Sequence, residues 1–272
     1  MDVSDPVDAQ SAGLCRALGP VLATSLVHDP AAATRLGVDT ILPAAIALRA
    51  LQRAPEVGEW HGLLHRRCRI MPVGSAAGSQ AVDVTERAGW RFVRARATVG
   101  PGRSGPRWPD GAVVVHDLAQ RLDGGAPGEA APPRVPAPSR PAGRAPRHDA
   151  GPQPPEAGRA VRISSLDVAA WTEAGGDHNR VHTVPGAARA AGLRSGADDV
   201  VAHGLLLAAV SLALVPTAGG GVVDARMPAP LPVPAAGTPS VRRPGAAPSA
   251  RVLVNTRTGA LTAGGRCVLR RR

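Results

Sequence analysis

Apolar positions recur at helical spacing through Leu42–Arg53 (LPAAIALRALQR), with a proline near the start, and this pattern predicts a helix. Downstream the period changes to two. Ala81–Glu86 (AVDVTE) and Arg91–Val99 (RFVRARATV) alternate as strands around a turn at Ala88 and Gly89, and Gly111–His116 (GAVVVH) is placed to extend the same sheet. A similar order returns in the second half. Ser164-Ser-Leu-Asp167 reads as a helix-opening capping box, and the helix it starts runs through Ala170 and Trp171 to a stop at Gly175 and Gly176. Gly204 to about Leu214 is apolar almost all round, which predicts a helix enclosed by a sheet. Strands are expected at Gly221–Arg226, Thr238–Arg243, Arg251–Thr256 and Arg266–Arg271, with Pro228, Pro230, Pro232 and Pro234 interrupting pairing after the first.

Between the two patterned regions, Gly124–Ala160 replaces almost every branched aliphatic residue with Pro, Gly, Ala and Arg. Such a segment has little apolar surface to offset its ordering entropy, so it reads as a tether with polyproline stretches. The expected organisation is therefore a first domain over 1–123, a linker over 124–160 and a second domain over 161–272.

Composition narrows the chemistry. All 32 basic residues are arginine, so a Schiff-base lysine, a P-loop lysine and a kinase lysine are excluded. With no Tyr and the single phenylalanine Phe92, there is no aromatic platform for single-stranded nucleic acid. The formal charge of +11 thus has two readings, an arginine-rich coding bias or attraction to a phosphate-bearing partner, and no nucleic-acid partner is expected. Cys15, Cys68 and Cys267 form no CxxC pair, and the first residues, MDVSDPVDAQ, lack the pattern of a signal peptide; a cytoplasmic location is the expectation. Gly204–Val215 is too short to span a bilayer, so no membrane association is expected.

His61, His65 and Cys68 would share one face if helical, but a strand is expected there and no carboxylate is nearby. His178 and His182 form an HxxxH without the glutamate of the zinc motif. No metal is expected at either.

The most informative string is Gly176-Asp177-x-Asn179-x-x-His182, followed by small residues from Ala187 to Ala191 and then by Ala202-His203-Gly204. A carboxylate and an imidazole five residues apart across a glycine-opened turn can converge on one water, and an Asp-x-Asn pair is also what an ordinary turn looks like. In order and spacing the string resembles the signature of the MaoC-like (R)-specific enoyl-CoA hydratases and 3-hydroxyacyl dehydratases. The resemblance is strongest over Ser164–Pro216 and weaker over Leu36–Val99, where no Asp-x-Asn-x-x-His string occurs.

That resemblance implies an α+β double hot-dog fold, two antiparallel sheets each wrapping a long apolar helix, with the first domain degenerate. It implies hydration of trans-2-enoyl thioesters to (3R)-3-hydroxyacyl thioesters, or the reverse, in fatty-acid or polyketide metabolism and without a cofactor. Asp177, His182, Asn179 and the Gly204 backbone N–H are the implied catalytic groups, and Arg180, Arg194 and His203 are expected to bind substrate. Either coenzyme A or an acyl carrier protein would deliver the acyl group, and a homodimer is possible. Arg180 stands where the family usually has proline, which removes a φ restraint and adds a charge. Two other readings follow: a catalytically degraded subunit that binds acyl thioesters or supports a partner, and a hot-dog thioesterase.

Overall fold

The computed structural model describes residues 6–25, 27–74, 80–122, 158–217, 221–235 and 248–271. Among these, eleven strands and six helices form an α+β structure built around one large antiparallel sheet.

Two helices open the chain, α1 over Pro6–Ala23 and α2 over Pro30–Leu51. The sequence pattern gave no sign of α1, and it placed the start of α2 at Leu42. The helix begins instead at Pro30, where the Asp29 side chain accepts from the Ala32 N–H, and Pro43 lies inside it. An internal proline removes one backbone donor and so resembles a start signal in a one-dimensional reading. Burial on both sides holds this helix together, with Trp108 Nε1 donating to the Thr40 carbonyl at 3.2 Å next to the proline turn. By length and composition alone α2 could cross a bilayer, yet two-thirds of its apolar window is buried within the protein.

The first-half strands are β1 (Leu64–Pro72), β2 (Ala81–Arg87), β3 (Trp90–Val99) and β4 (Ala112–Arg121). β2 and β3 form the expected hairpin, closed by Ala88 at φ +50° and Gly89 at φ +72°. His65 and Cys68 lie on a strand, so the helical face that would have gathered them with His61 does not exist.

In the second half β5 covers Gly158–Ser164, so the last three residues assigned to the linker belong to a strand; the rest of that linker and the strand expected at Thr238–Arg243 lie outside the described residues. The capping box at Ser164 and Asp167 is formed in both directions and starts α3 (Ser165–Gly175), which ends in left-handed Gly176. Then follow the short α4 (Arg180–Thr183) and α5 (Ala187–Ala190), β6 (Asp199–Val201), α6 (Gly204–Leu214), β7 (Val223–Arg226), β8 (Pro232–Pro234), β9 (Ser249–Asn255), β10 (Leu261–Ala263) and β11 (Arg266–Arg271). The prolines interrupt the main sheet as expected, although Val233 between two of them still pairs with Val200 in a separate two-stranded ribbon.

The sheet order is β2-β3-β4-β1-β7-β11-β10-β9-β5. Two separate sheets were expected, and the described strands instead form one of nine. Arg67–Ile70 of β1 pair antiparallel with Val223–Arg226 of β7, and Arg67 bridges to Asp224 across the seam. Pairing there removes two open edges, each of which would leave a row of backbone groups unsatisfied.

Helices α2 and α6 pack directly on each other. A Cβ on Gly37 would lie 2.7 Å from the Ala209 carbonyl, so only glycine permits this approach. From Leu205 to Leu214 every α6 residue is buried, which accounts for the unbroken apolar run.

Candidate active site

The loop between α3 and α4 carries Asp177 and Asn179, and α4 carries His182. Gly176 turns the chain sharply at φ +73°, and Asp177 Oδ1 then accepts from the Asn179 N–H at 3.3 Å. The local turn is thus formed, and it also aims the carboxylate inward. Asn179 caps α4 through Val181 N–H, and its buried amide fastens the loop to the first half by accepting from Gly62 N–H at 3.1 Å and donating to the Leu63 carbonyl at 2.7 Å.

Asp177 Oδ1 accepts a hydrogen bond from Trp60 Nε1 at 2.9 Å and a longer one from Gln52 Nε2 at 3.4 Å. Its Oδ2 lies 3.3 Å from His203 Nδ1 and 3.8 Å from His182 Nε2. Burial alone would raise its pKa. The hydrogen bond and charge of His203, the neighbouring His182 ring and the Trp60 N–H outweigh burial and hold the carboxyl well below the ordinary carboxylate range.

His182 Nδ1 lies 2.6 Å from the Val201 carbonyl, which can only accept, so this nitrogen carries the proton. Nε2 of the neutral ring is then the bare nitrogen, and it is the one that faces Asp177. Burial, reinforced by His203 and opposed by Asp177, lowers His182 to about 3. His203 stacks on His182 with centroids 3.7 Å apart, and its Nε2 meets the Thr172 hydroxyl at 2.8 Å.

These groups line a narrow cleft walled by Leu48, Leu63, Leu118, Trp171 and Leu205. At its edge α6 begins. His203 makes no side-chain cap there, and no acceptor among the described residues meets the Gly204 N–H. A Cβ at Gly204 would crowd Met227 at 3.1 Å and His65 at 3.3 Å.

Asp177, His182 and His203 offer ligand atoms within 4.8 Å of one another. The two rings are only 28° from parallel, so their in-plane lone pairs run side by side and a metal could lie in the plane of one ring at most. A second group, His65, Cys68 and His116, is engaged internally: His65 Nε2 and His116 Nδ1 are 2.9 Å apart, and His116 Nε2 reaches the Ala44 carbonyl at 3.2 Å. Burial pushes the Cys68 thiol up, away from the thiolate a metal needs.

The structure therefore gathers Asp177, His182, His203 and Gly204 on one cleft. Asn179 stands behind it as a positioning group. Arg180 and Arg194 are exposed and neither lines the cleft, because each begins or follows a short surface helix. Position 180 is the first residue of α4, where the backbone N–H has no helical partner and proline and arginine are both accommodated. Sequence reasoning missed Trp60 and Gln52, and it considered His65 only as a metal ligand, not as part of this cleft. Only the pairing of a lone Trp with a histidine in GEWHG hinted at the first, since contacts more than a hundred residues away leave no local pattern.

No protein-family model matches the chain, and no curated protein matches its sequence. Solved structures do match its fold. HtdX of Mycobacterium tuberculosis superimposes with a TM-score of 0.54 at 20% identity, covering 97% of this chain and 93% of that one. A MaoC-like dehydratase gives a TM-score of 0.51 at 14% identity, covering 96% and 91%. The full-length peroxisomal multifunctional enzyme type 2 of Drosophila melanogaster gives 0.50 at 16% identity, and the match takes in 96% of this chain but only 45% of that one. The chain thus has the fold shared by these proteins, a MaoC-like dehydratase among them.

Proposed function

We propose that the protein is a MaoC-like hydro-lyase of the double hot-dog type that adds water to trans-2-enoyl thioesters, giving (3R)-3-hydroxyacyl thioesters, or removes it. The observation that carries this reading is the bare Nε2 of His182, 3.8 Å from an ionised Asp177, on an apolar cleft that also exposes an unpartnered helix N–H. In the hydration direction His182 Nε2 takes a proton from water as the water oxygen bonds C3. The C2=C3 electron pair moves onto the thioester carbonyl, and the Gly204 N–H holds the resulting enolate oxygen. The imidazolium returns its proton to C2, with Asp177 stabilising its charge meanwhile. Every proton is accounted for, and no cofactor enters.

The apolar wall suits an acyl chain, and coenzyme A or a carrier protein would supply the thioester. Loss of enoyl absorbance from crotonyl-CoA tests the reading: turnover by the wild type that disappears in Asp177→Asn supports it, and saturable binding without turnover would favour the degraded subunit. Arg180 is exposed and does not line the cleft, so it lends that second reading no support. Release of free thiol would instead indicate a thioesterase.

A further inference from the structure

An open groove runs between α1 and α3 and is distinct from the catalytic cleft. Its floor is made of small residues, because α1 and α3 approach closely where Gly13 meets Ala174; a Cβ on Gly13 would lie 3.3 Å from that of Ala174. Two arginines face it, Arg16 from α1 and Arg49 from α2, both exposed, and neither belongs to an ion pair among the described residues. Gln10 lines the same groove and is only 8% exposed, and its Nε2 is buried with no hydrogen-bond partner among the described residues. Two guanidinium groups without ion-pair partners on one groove, with an unpartnered amide donor buried in its wall, suit an acceptor-rich anion.

The groove adjoins the catalytic loop through consecutive residues. Leu48 lines the cleft and Arg49 the groove; Gly175 lines the cleft and Ala174 the groove. Arg49 also covers Gly176, its Nε 3.3 Å from where a Cβ there would stand, one residue before Asp177.

We infer that this groove holds a phosphate of the pantetheine-bearing arm that delivers the thioester. The inference rests on the thioester reading above, and it moves the phosphate contact from Arg180 and Arg194 to Arg16, Arg49 and Gln10. Among the described residues Glu173 is the one acidic group lining the groove, 3.8 Å from His178 Nδ1, and its charge opposes anion binding there.

The test compares three substrates, crotonyl-CoA, crotonyl-4′-phosphopantetheine and the phosphate-free crotonyl-pantetheine. In the Arg16→Ala/Arg49→Ala double variant the KM for crotonyl-CoA is expected to rise about tenfold or more relative to that for crotonyl-pantetheine, as loss of charge-assisted hydrogen bonds requires. Glu173→Gln should shift the same ratio the other way. A rise shared by crotonyl-4′-phosphopantetheine assigns the groove to the phosphate common to coenzyme A and a carrier protein, whereas a rise with crotonyl-CoA alone assigns it to the nucleotide phosphates. Equal shifts for all three substrates, or none, would overturn the inference. Should the wild type turn over none of them, the hydro-lyase reading fails while the groove remains testable: calorimetry with coenzyme A must show binding that the double variant weakens about tenfold, and binding unaffected by the double variant, or none at all, discards it.

Discussion

Two histidine pairs lie inside this protein, and they differ in what surrounds them. His182 and His203 stack at 3.7 Å beside the Asp177 carboxylate and open onto the cleft. His65 and His116 meet edge to nitrogen, 4.9 Å between centroids, and the second is sealed under α2 against the Ala44 carbonyl. Burial is the leading cause that lowers His182, His65 and His116, so desolvation alone does not distinguish a reactive histidine from a structural one. A contacting carboxylate and access to a ligand distinguish them. The first pair has both, and His116 has neither.

The largest expected effect separates the pairs by activity. Asp177→Asn and His182→Ala should each lower kcat/KM on an enoyl thioester by about 10³-fold, the scale of lost general acid–base catalysis. Their melting curves should stay near wild type. A variant that retains most of its turnover would remove that residue from the chemistry and end the contrast.

The sealed His116 should answer in stability instead. His116→Leu leaves His65 Nε2 without its partner, which costs about 1–3 kcal/mol by denaturant titration, while kcat on the enoyl thioester falls far less than in Asp177→Asn. Acid sharpens this. His65 is lowered to about 4, His182 to about 3 and His116 well below its usual value, so below pH 6.5 the unfolded chain binds protons that the folded chain refuses. Stability from these groups is complete above pH 6.5 and is lost as pH falls from there toward 4. Asp177 has the depressed carboxylate sign, so its contribution persists until pH drops below the unfolded value near 3.8 and does not offset the histidines in this window. Melting temperature against pH should therefore slope steeply below 6.5 for the wild type and less steeply for His116→Leu.

A smaller effect tests how the open pair is held. Trp60→Phe keeps the ring but removes the donor 2.9 Å from Asp177 Oδ1. One hydrogen bond to a charged group corresponds to about tenfold in kcat, and the acid limb of the pH–rate profile should move upward as the carboxyl regains affinity for its proton. An unchanged profile would mean that the two histidines fix the ionisation of Asp177 without Trp60.

The smallest lies between the pairs. Gly204→Ala places a methyl 3.1 Å from Met227 and 3.3 Å from the His65 Cβ, without removing the N–H. Because the Met227 side chain is flexible, about a threefold fall in kcat is expected, with stability nearly unchanged. A loss as large as that of Asp177→Asn would show that the enolate pocket tolerates no displacement of the α6 start.

The sequence by itself determined what is local. The capping box at Ser164, the stop at Gly176, the bounds of α6 and of β11, and the Ala88–Gly89 hairpin each depend on side chains within a few residues of one another, so spacing and residue type were enough. The same holds for Asp177, Asn179 and His182, which share one turn. Tertiary structure decided the rest. Helix α2 extends through Pro43 because α6 and the sheet bury it, at a crossing that only Gly37 allows. Nine strands join into one sheet because β1 and β7, more than 150 residues apart, pair edge to edge. Asp177 is kept ionised by His203 and Trp60, which lie far from it in sequence and carry no pattern of their own; hydrogen bonds between distant segments exist only after the core has packed, and no local period records them.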